Sequence, residues 1–189
     1  MENRSIRQSK YSAAEGYSLL QTSFALVVMG LLIAILVPRM LELVEDARDA
    51  KVKAVASGFK AAVYLARESW YAAGKPAGVV ENFGERNLLM SVKGWPVSVV
   101  GMAGSENQIT DPVCQGLWKA LLVEGAPEVG TAKQLELKRT NQANRFDQVV
   151  IEFMASAQEG KCRYYYLEGD DERFIQYDPA NGRIISKIR

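Results

Sequence analysis

Residues 16–38 read GYSLLQTSFALVVMGLLIAILVP, and no Asp, Glu, Lys or Arg interrupts these 23 positions. Coiled as a helix the run would reach about 34 Å, enough to cross a hydrocarbon core of about 30 Å. A cleaved secretory signal would have a shorter apolar centre followed by a small-x-small site. Val37, Pro38, Arg39 and Met40 offer no such site, so the stretch is expected to stay attached.

Helical patterning runs on past the apolar segment. Val52, Val55, Phe59, Ala62, Val63, Ala66 and Trp70 recur at steps of three and four, which puts one apolar stripe against a core. Lys53 stands four residues after Asp49 and reads as its surface partner. Gly74, Lys75 and Pro76 then stop the pattern. The spacing thus predicts one helix from Ser18 to Ala73, apolar all round in its first half and amphipathic in its second. Pro38 lies in its middle, where it removes a backbone donor and is expected to kink it.

Beyond Gly74 the periodicity fades. Glycine and proline punctuate residues 74–112, which read as a long, partly ordered connection with one strand candidate, Trp95 to Val100. In DPVCQGLWKALL, Asp111 suits a cap and Pro112 a first turn, while Val113, Leu117 and Leu121 share a side, so a short helix is predicted. Gln134–Thr140, Gln148–Ser156, Lys161–Glu168, Arg173–Tyr177 and Arg183–Ile188 read as strands, with GDDE and DPANG as hairpin turns. The expected fold is α+β, a long N-terminal helix packed on a C-terminal antiparallel meander.

Composition narrows function. The 189 residues contain no histidine, which removes Ser-His and Cys-His nucleophiles, His-ligated zinc and imidazole acid-base shuttles. Two cysteines cannot build an all-thiolate zinc site, and a net charge of +1 without a basic run gives no electrostatic grip on nucleic acid. No cofactor, metal site or catalytic residue is therefore expected, and the chain does not read as an enzyme. Basic residues are nearly balanced across the apolar run, with Arg4, Arg7 and Lys10 before it and Arg39, Arg48, Lys51 and Lys53 after it. The pair Cys114 and Cys162 suits an oxidising compartment, where a disulfide between them is expected over two buried thiols. That places the C-terminal part outside the cytoplasm.

The junction and its spacing carry a family resemblance. A short basic leader ends in Gly16, the aromatic Tyr17 follows, Gly30 lies within the apolar helix and Pro38 near its end, and the charged EDARDA comes next. This arrangement resembles the N-terminal signature of type IV pilins and pseudopilins. GWPVSV, CQGLWKALL and CRYYYL further resemble the globular region of pilins of the mannose-sensitive haemagglutinin type.

The resemblance implies a leader over residues 1–16, a transmembrane and assembly helix over 17–38, and a pilin globular domain over 39–189. It implies cleavage by prepilin peptidase between Gly16 and Tyr17 and N-methylation of Tyr17. The subunit would then pass from the inner membrane, with its globular part in the periplasm, into an extracellular pilus. Its partners would be other pilin subunits, met through the N-terminal helix, and the pilus assembly machinery. Gln21, Gly30 and Pro38 would be assembly positions. Two residues depart from the pattern: Glu15, where a basic or small polar residue is common, and Gln21, where most members carry a Glu that pairs with a neighbour's terminal amine. Without that charge the subunit is expected to be a minor one, at the tip or at initiation. A pseudopilin of a type II secretion system and an anchored binding module that never polymerises are the other readings. Glu168, Asp170, Asp171 and Glu172 read as a solvated turn before a calcium site, and Trp70, Trp95 and Trp118 as core before a saccharide platform.

Overall fold

The structure, a computed structural model, describes residues 19–75, 78–84, 86–102, 108–122, 125–140, 150–169 and 172–188. The chain divides into two compact units, Met1–Val44 and Glu45–Arg189. One helix, α1 (Leu19–Ala72), contributes to both.

Within the first unit every described residue is helical and exposed. Pro38 lies inside α1, and the helix continues beyond it. With no N–H at Pro38, the Ala34 carbonyl has no i+4 donor there.

In the second unit α1 buries Val52, Ala56, Phe59, Val63, Ala66 and Trp70. The stripe follows the predicted spacing, with Val55 and Ala62 partly buried at its margins. The helix ends on Gly74 at φ 79°, where the amides of Gly74 and Lys75 return to the carbonyls of Tyr71 and Trp70 at 3.0 and 2.9 Å.

After α1 come β1 (Val79–Phe83), β2 (Arg86–Met90) and β3 (Pro96–Val99), an antiparallel three-stranded sheet. The described residues 78–84 and 86–102 are thus more regular than the predicted connection. Of the glycines read there as loop punctuation, Gly84 and Gly94 lie at turns with positive φ, and Asn82 at φ 57° marks an irregularity between Val80 and Phe83. Strands of four or five residues leave little periodicity to read.

Then follow α2 (Asp111–Leu121), β4 (Val129–Thr131), α3 (Ala132–Thr140), β5 (Phe153–Gln158), β6 (Lys161–Tyr166), β7 (Phe174–Asp178) and β8 (Arg183–Lys187). Strands β4 to β8 form one sheet in chain order. The β5–β8 part is the antiparallel meander, but β4 pairs parallel with β5, which the reading as a pure meander missed. Residues 134–140, read as a strand, are helical. Ala, Gln, Leu, Glu, Lys and Arg all favour helix, and the Leu-Glu-Leu alternation imitated a strand's period of two. Strand β5 begins at Phe153, later than the predicted Gln148, a residue outside those described.

Alternation on β6 and β7 turns Cys162, Tyr164, Tyr166, Ile175 and Tyr177 to the core. Phe59 is the meeting point. Its ring lies 5.8 Å from Trp118, 5.4 Å from Tyr164 and 5.7 Å from Tyr177, so one side chain joins α1, α2, β6 and β7. Burying such a ring contributes about 2–3 kcal/mol. Cys114 on α2 and Cys162 on β6, both buried, form a disulfide. The cap of α2 is Thr110, one residue before the expected Asp111, whose carboxylate instead accepts the Ala157 amide at 2.7 Å.

Candidate functional site

The described residues of the first unit, 19–44, form an exposed and mostly apolar surface. From Leu19 (90% exposed) to Val44 (45%) the large apolar side chains stand open in every direction around α1, far more than the scattered apolar residues of a soluble surface. An 18-residue window reaches a mean hydropathy of 2.5, and the helix is long and apolar enough to cross a membrane. This is consistent with a membrane anchor. Gln21 is exposed on that surface, and nothing lies within 4 Å of where a Cβ on Gly30 would stand. The small residues Ser23, Ala25, Gly30 and Ala34 leave backbone open to close approach by another helix. Gly16 and Tyr17, the expected cleavage and methylation positions, lie outside the described residues.

A second site lies in the globular unit, where α1 meets the start of β7. Arg173 is completely buried. Its Nε donates to Asp49 Oδ1 at 2.7 Å and its Nη2 to Glu45 Oε2 at 2.5 Å. Arg48 pairs with Glu45 from the same helix, and Lys51 pairs with Glu152 just ahead of β5. Asp49, assigned by spacing to Lys53, thus faces Arg173 instead. The Arg173 guanidinium, opposed by burial and aided by Arg48, holds the Glu45 carboxyl below the usual glutamate range. Asp49, then Glu45, raises the Arg173 pKa in turn, again against burial. Beside this cluster Tyr166 donates to Glu168 at 2.8 Å, and burial foremost pushes its hydroxyl up to about 12.

Residue-by-residue reading passed over this cluster, although one signal was present. Glu45 and Asp49 precede Val52, Ala56 and Phe59 at the same steps of four and three, so two carboxylates occupy the stripe that faces the core. Carboxylates at such positions need a cationic partner, and only the fold brings Arg173 to them.

Around the disulfide, Tyr164 Oη donates to the Cys114 carbonyl at 2.9 Å, and Tyr177 Oη to the Pro96 carbonyl at 2.8 Å. Burial raises both phenols far out of the physiological range. They act here as neutral hydrogen-bond donors that tie β6 and β7 to α2 and β3. Trp118 is buried, with its indole N–H donating to the Pro127 carbonyl at 3.0 Å. Trp70 and Trp95 are each 7% exposed. Among the described residues no group of three His, Cys, Asp or Glu side chains is placed to hold a metal, and Asp170 and Asp171 lie outside those residues. No family model, curated protein or solved structure matches this chain.

Proposed function

We propose that this chain is a minor type IV pilin-like subunit. Prepilin peptidase cuts it between Gly16 and Tyr17, and the mature subunit leaves the inner membrane to join an extracellular pilus at its tip or at initiation. The observation that carries the reading is the exposed apolar surface of α1 from Leu19 to Val44. A helix apolar on all sides can exchange lipid for neighbouring helices while keeping the same surface out of water. The leader, with Glu2, Arg4, Arg7, Lys10 and Glu15, could not follow that helix out of a bilayer, and its loss leaves a formally neutral chain. The buried disulfide supports a globular unit that folds in the periplasm. Pilus adhesion or motility is the corresponding use, with a type II secretion pseudopilus as the alternative assembly.

Intact-mass measurement and N-terminal sequencing of membrane-extracted protein test the reading. A methylated Tyr17 terminus is expected. A terminus at Met1, or one beyond Pro38, removes the pilin assignment and leaves an anchored module.

A further inference from the structure

Among the described residues the two sheets leave four edge strands, and β1, β3 and β4 are closed. At β4 the Glu128 carbonyl accepts the Phe153 amide of β5 at 3.0 Å, so Val129 and Thr131 turn their backbone groups the other way. Side chains occupy them there: Gln115 donates to the Val129 carbonyl at 3.0 Å, and Gln134 accepts the Thr131 amide at 3.1 Å. All four residues of β3 are buried. Strand β1 loses register between Val80 and Phe83, where the Asn82 amide turns to the Asn87 side chain at 2.9 Å. Each device keeps a stray strand from pairing.

The β8 edge has none of them. Its five residues keep unbroken register with β7, from Asp178 opposite Arg183 to Phe174 opposite Lys187. The Tyr166 amide donates to the Arg173 carbonyl at 2.9 Å, so Arg173, Ile175 and Tyr177 turn their backbone groups to β6. Phe174, Gln176 and Asp178 then turn theirs to Lys187, Ile185 and Arg183 of β8. The N–H and C=O groups of Ile184 and Ser186 therefore point outward, and among the described residues no strand or side chain takes them up. Ser186 is exposed although alternation sets it on the core side with Ile184, so this edge is open on both faces.

Charge selects the occupant. Arg183, Ile185 and Lys187 share the outer face of β8, with Ile185 40% exposed, and Lys161 and Arg163 of β6 stand on the same face. The acid of these strands on that face, Asp178, is turned into the β7–β8 turn, where it accepts from the Ala180 amide and from Asn181 Nδ2, each at 3.0 Å. Lys187 shares an exposed ion pair with Glu172 at 3.1 Å, which an incoming carboxylate can join. A second copy of β8, laid antiparallel, would set Arg183 against Lys187 at both ends, and like charges directly opposite destabilise such a pair. We propose that the β8 edge accepts an extended strand of another protein, antiparallel, with carboxylate, apolar and carboxylate side chains at alternate positions. The carboxylates stand opposite Lys187 and Arg183 and the apolar side chain opposite Ile185, while the residues between them exchange backbone hydrogen bonds with Ser186 and Ile184. The proposal holds for a polymerising subunit and for an anchored module alike.

Calorimetric titration of the full chain, in a polyoxyethylene detergent, with the end-blocked peptide Gly-Glu-Thr-Val-Thr-Glu-Gly tests it. Saturable binding is expected, about tenfold tighter than for the same peptide with Lys in place of Glu. N-methylation of the two Thr amides removes the donors that would face β8 and keeps both charges, so it should abolish binding. Arg183→Glu combined with Lys187→Glu should reverse the preference between the acidic and basic peptides. Ser186→Pro takes away an outward N–H and no bond to β7, so it should melt close to wild type and bind about tenfold more weakly. The proposal is overturned if the acidic peptide shows no saturable binding, or if its methylated form binds as tightly, which would leave charge attraction alone. It is also overturned if the charge-reversed variant keeps the wild-type preference while its melting curve shows it folded.

Discussion

Arg173 Nε donates to Asp49 Oδ1 at 2.7 Å across 124 positions of chain, and the guanidinium is wholly buried. The first residue before β7 is thereby pinned to the point on α1 where the buried stripe begins. Arg173→Met removes the cation, leaving Asp49 without Arg173 and Glu45 with Arg48 as its remaining cation. Stability should fall by about 1–3 kcal/mol, the range for stranding polar groups, because Glu45 and Asp49 keep 28% and 20% of their side-chain exposure. Adding Glu45→Gln and Asp49→Asn to that variant should recover part of the loss. Thermal unfolding of the detergent-solubilised chain measures both steps, and a full loss in the triple variant would show that packing, not charge, was at stake.

The same cluster makes stability depend on acid. The folded-state pKa of Glu45 is lowered below its ordinary 4.5, chiefly by the Arg173 hydrogen bond. Its contribution is therefore complete above that ordinary value and is lost as pH falls through the lowered folded pKa. Wild type should melt at a higher temperature than Glu45→Gln at about pH 7, and the two curves should draw together by about pH 2. A gap between them that stays constant over this range would contradict the assignment.

Cys114 and Cys162 stand 48 positions apart. Replacing both by alanine should lower stability by about 4 kcal/mol on the chain-entropy account of a loop of this length. Denaturant unfolding, compared with the oxidised wild type, gives the figure. Loss of the bond should also loosen Tyr164, whose hydroxyl donates to the Cys114 carbonyl, and near-ultraviolet circular dichroism would register the change.

Gln21 bears on abundance within the proposed filament. The proposed cleavage would leave a cationic amine on Tyr17, and burying it among apolar helices without an anionic partner costs several kcal/mol. A neutral Gln21 offers a neighbour only a hydrogen-bond acceptor, so self-addition is unfavourable while a leading subunit escapes the penalty. Quantitative mass spectrometry of sheared filaments should find the wild-type chain scarce and the Gln21→Glu variant more abundant. Wild-type protein forming the bulk of the filament would falsify the tip position.

What sequence alone determined here is whatever depends on near neighbours in the chain. The uncharged run through Pro38 makes a helix that is apolar on every side, because the composition of one stretch decides its solvent. The three-and-four spacing from Val52 to Trp70 puts Phe59 on the buried face, and DPANG announces the turn between β7 and β8. Tertiary structure decided the rest. Strand β4 has three residues and no period of its own, and exists because it lies parallel beside β5. Helix α3 carries alternating leucines yet has no sheet partner, so its helix-forming residues prevail. Asp49 reads as a surface partner of Lys53 until Arg173 arrives from the far end of the chain. Charges are placed by long-range partners whose identity no local period encodes, whereas apolar faces are written in the spacing itself.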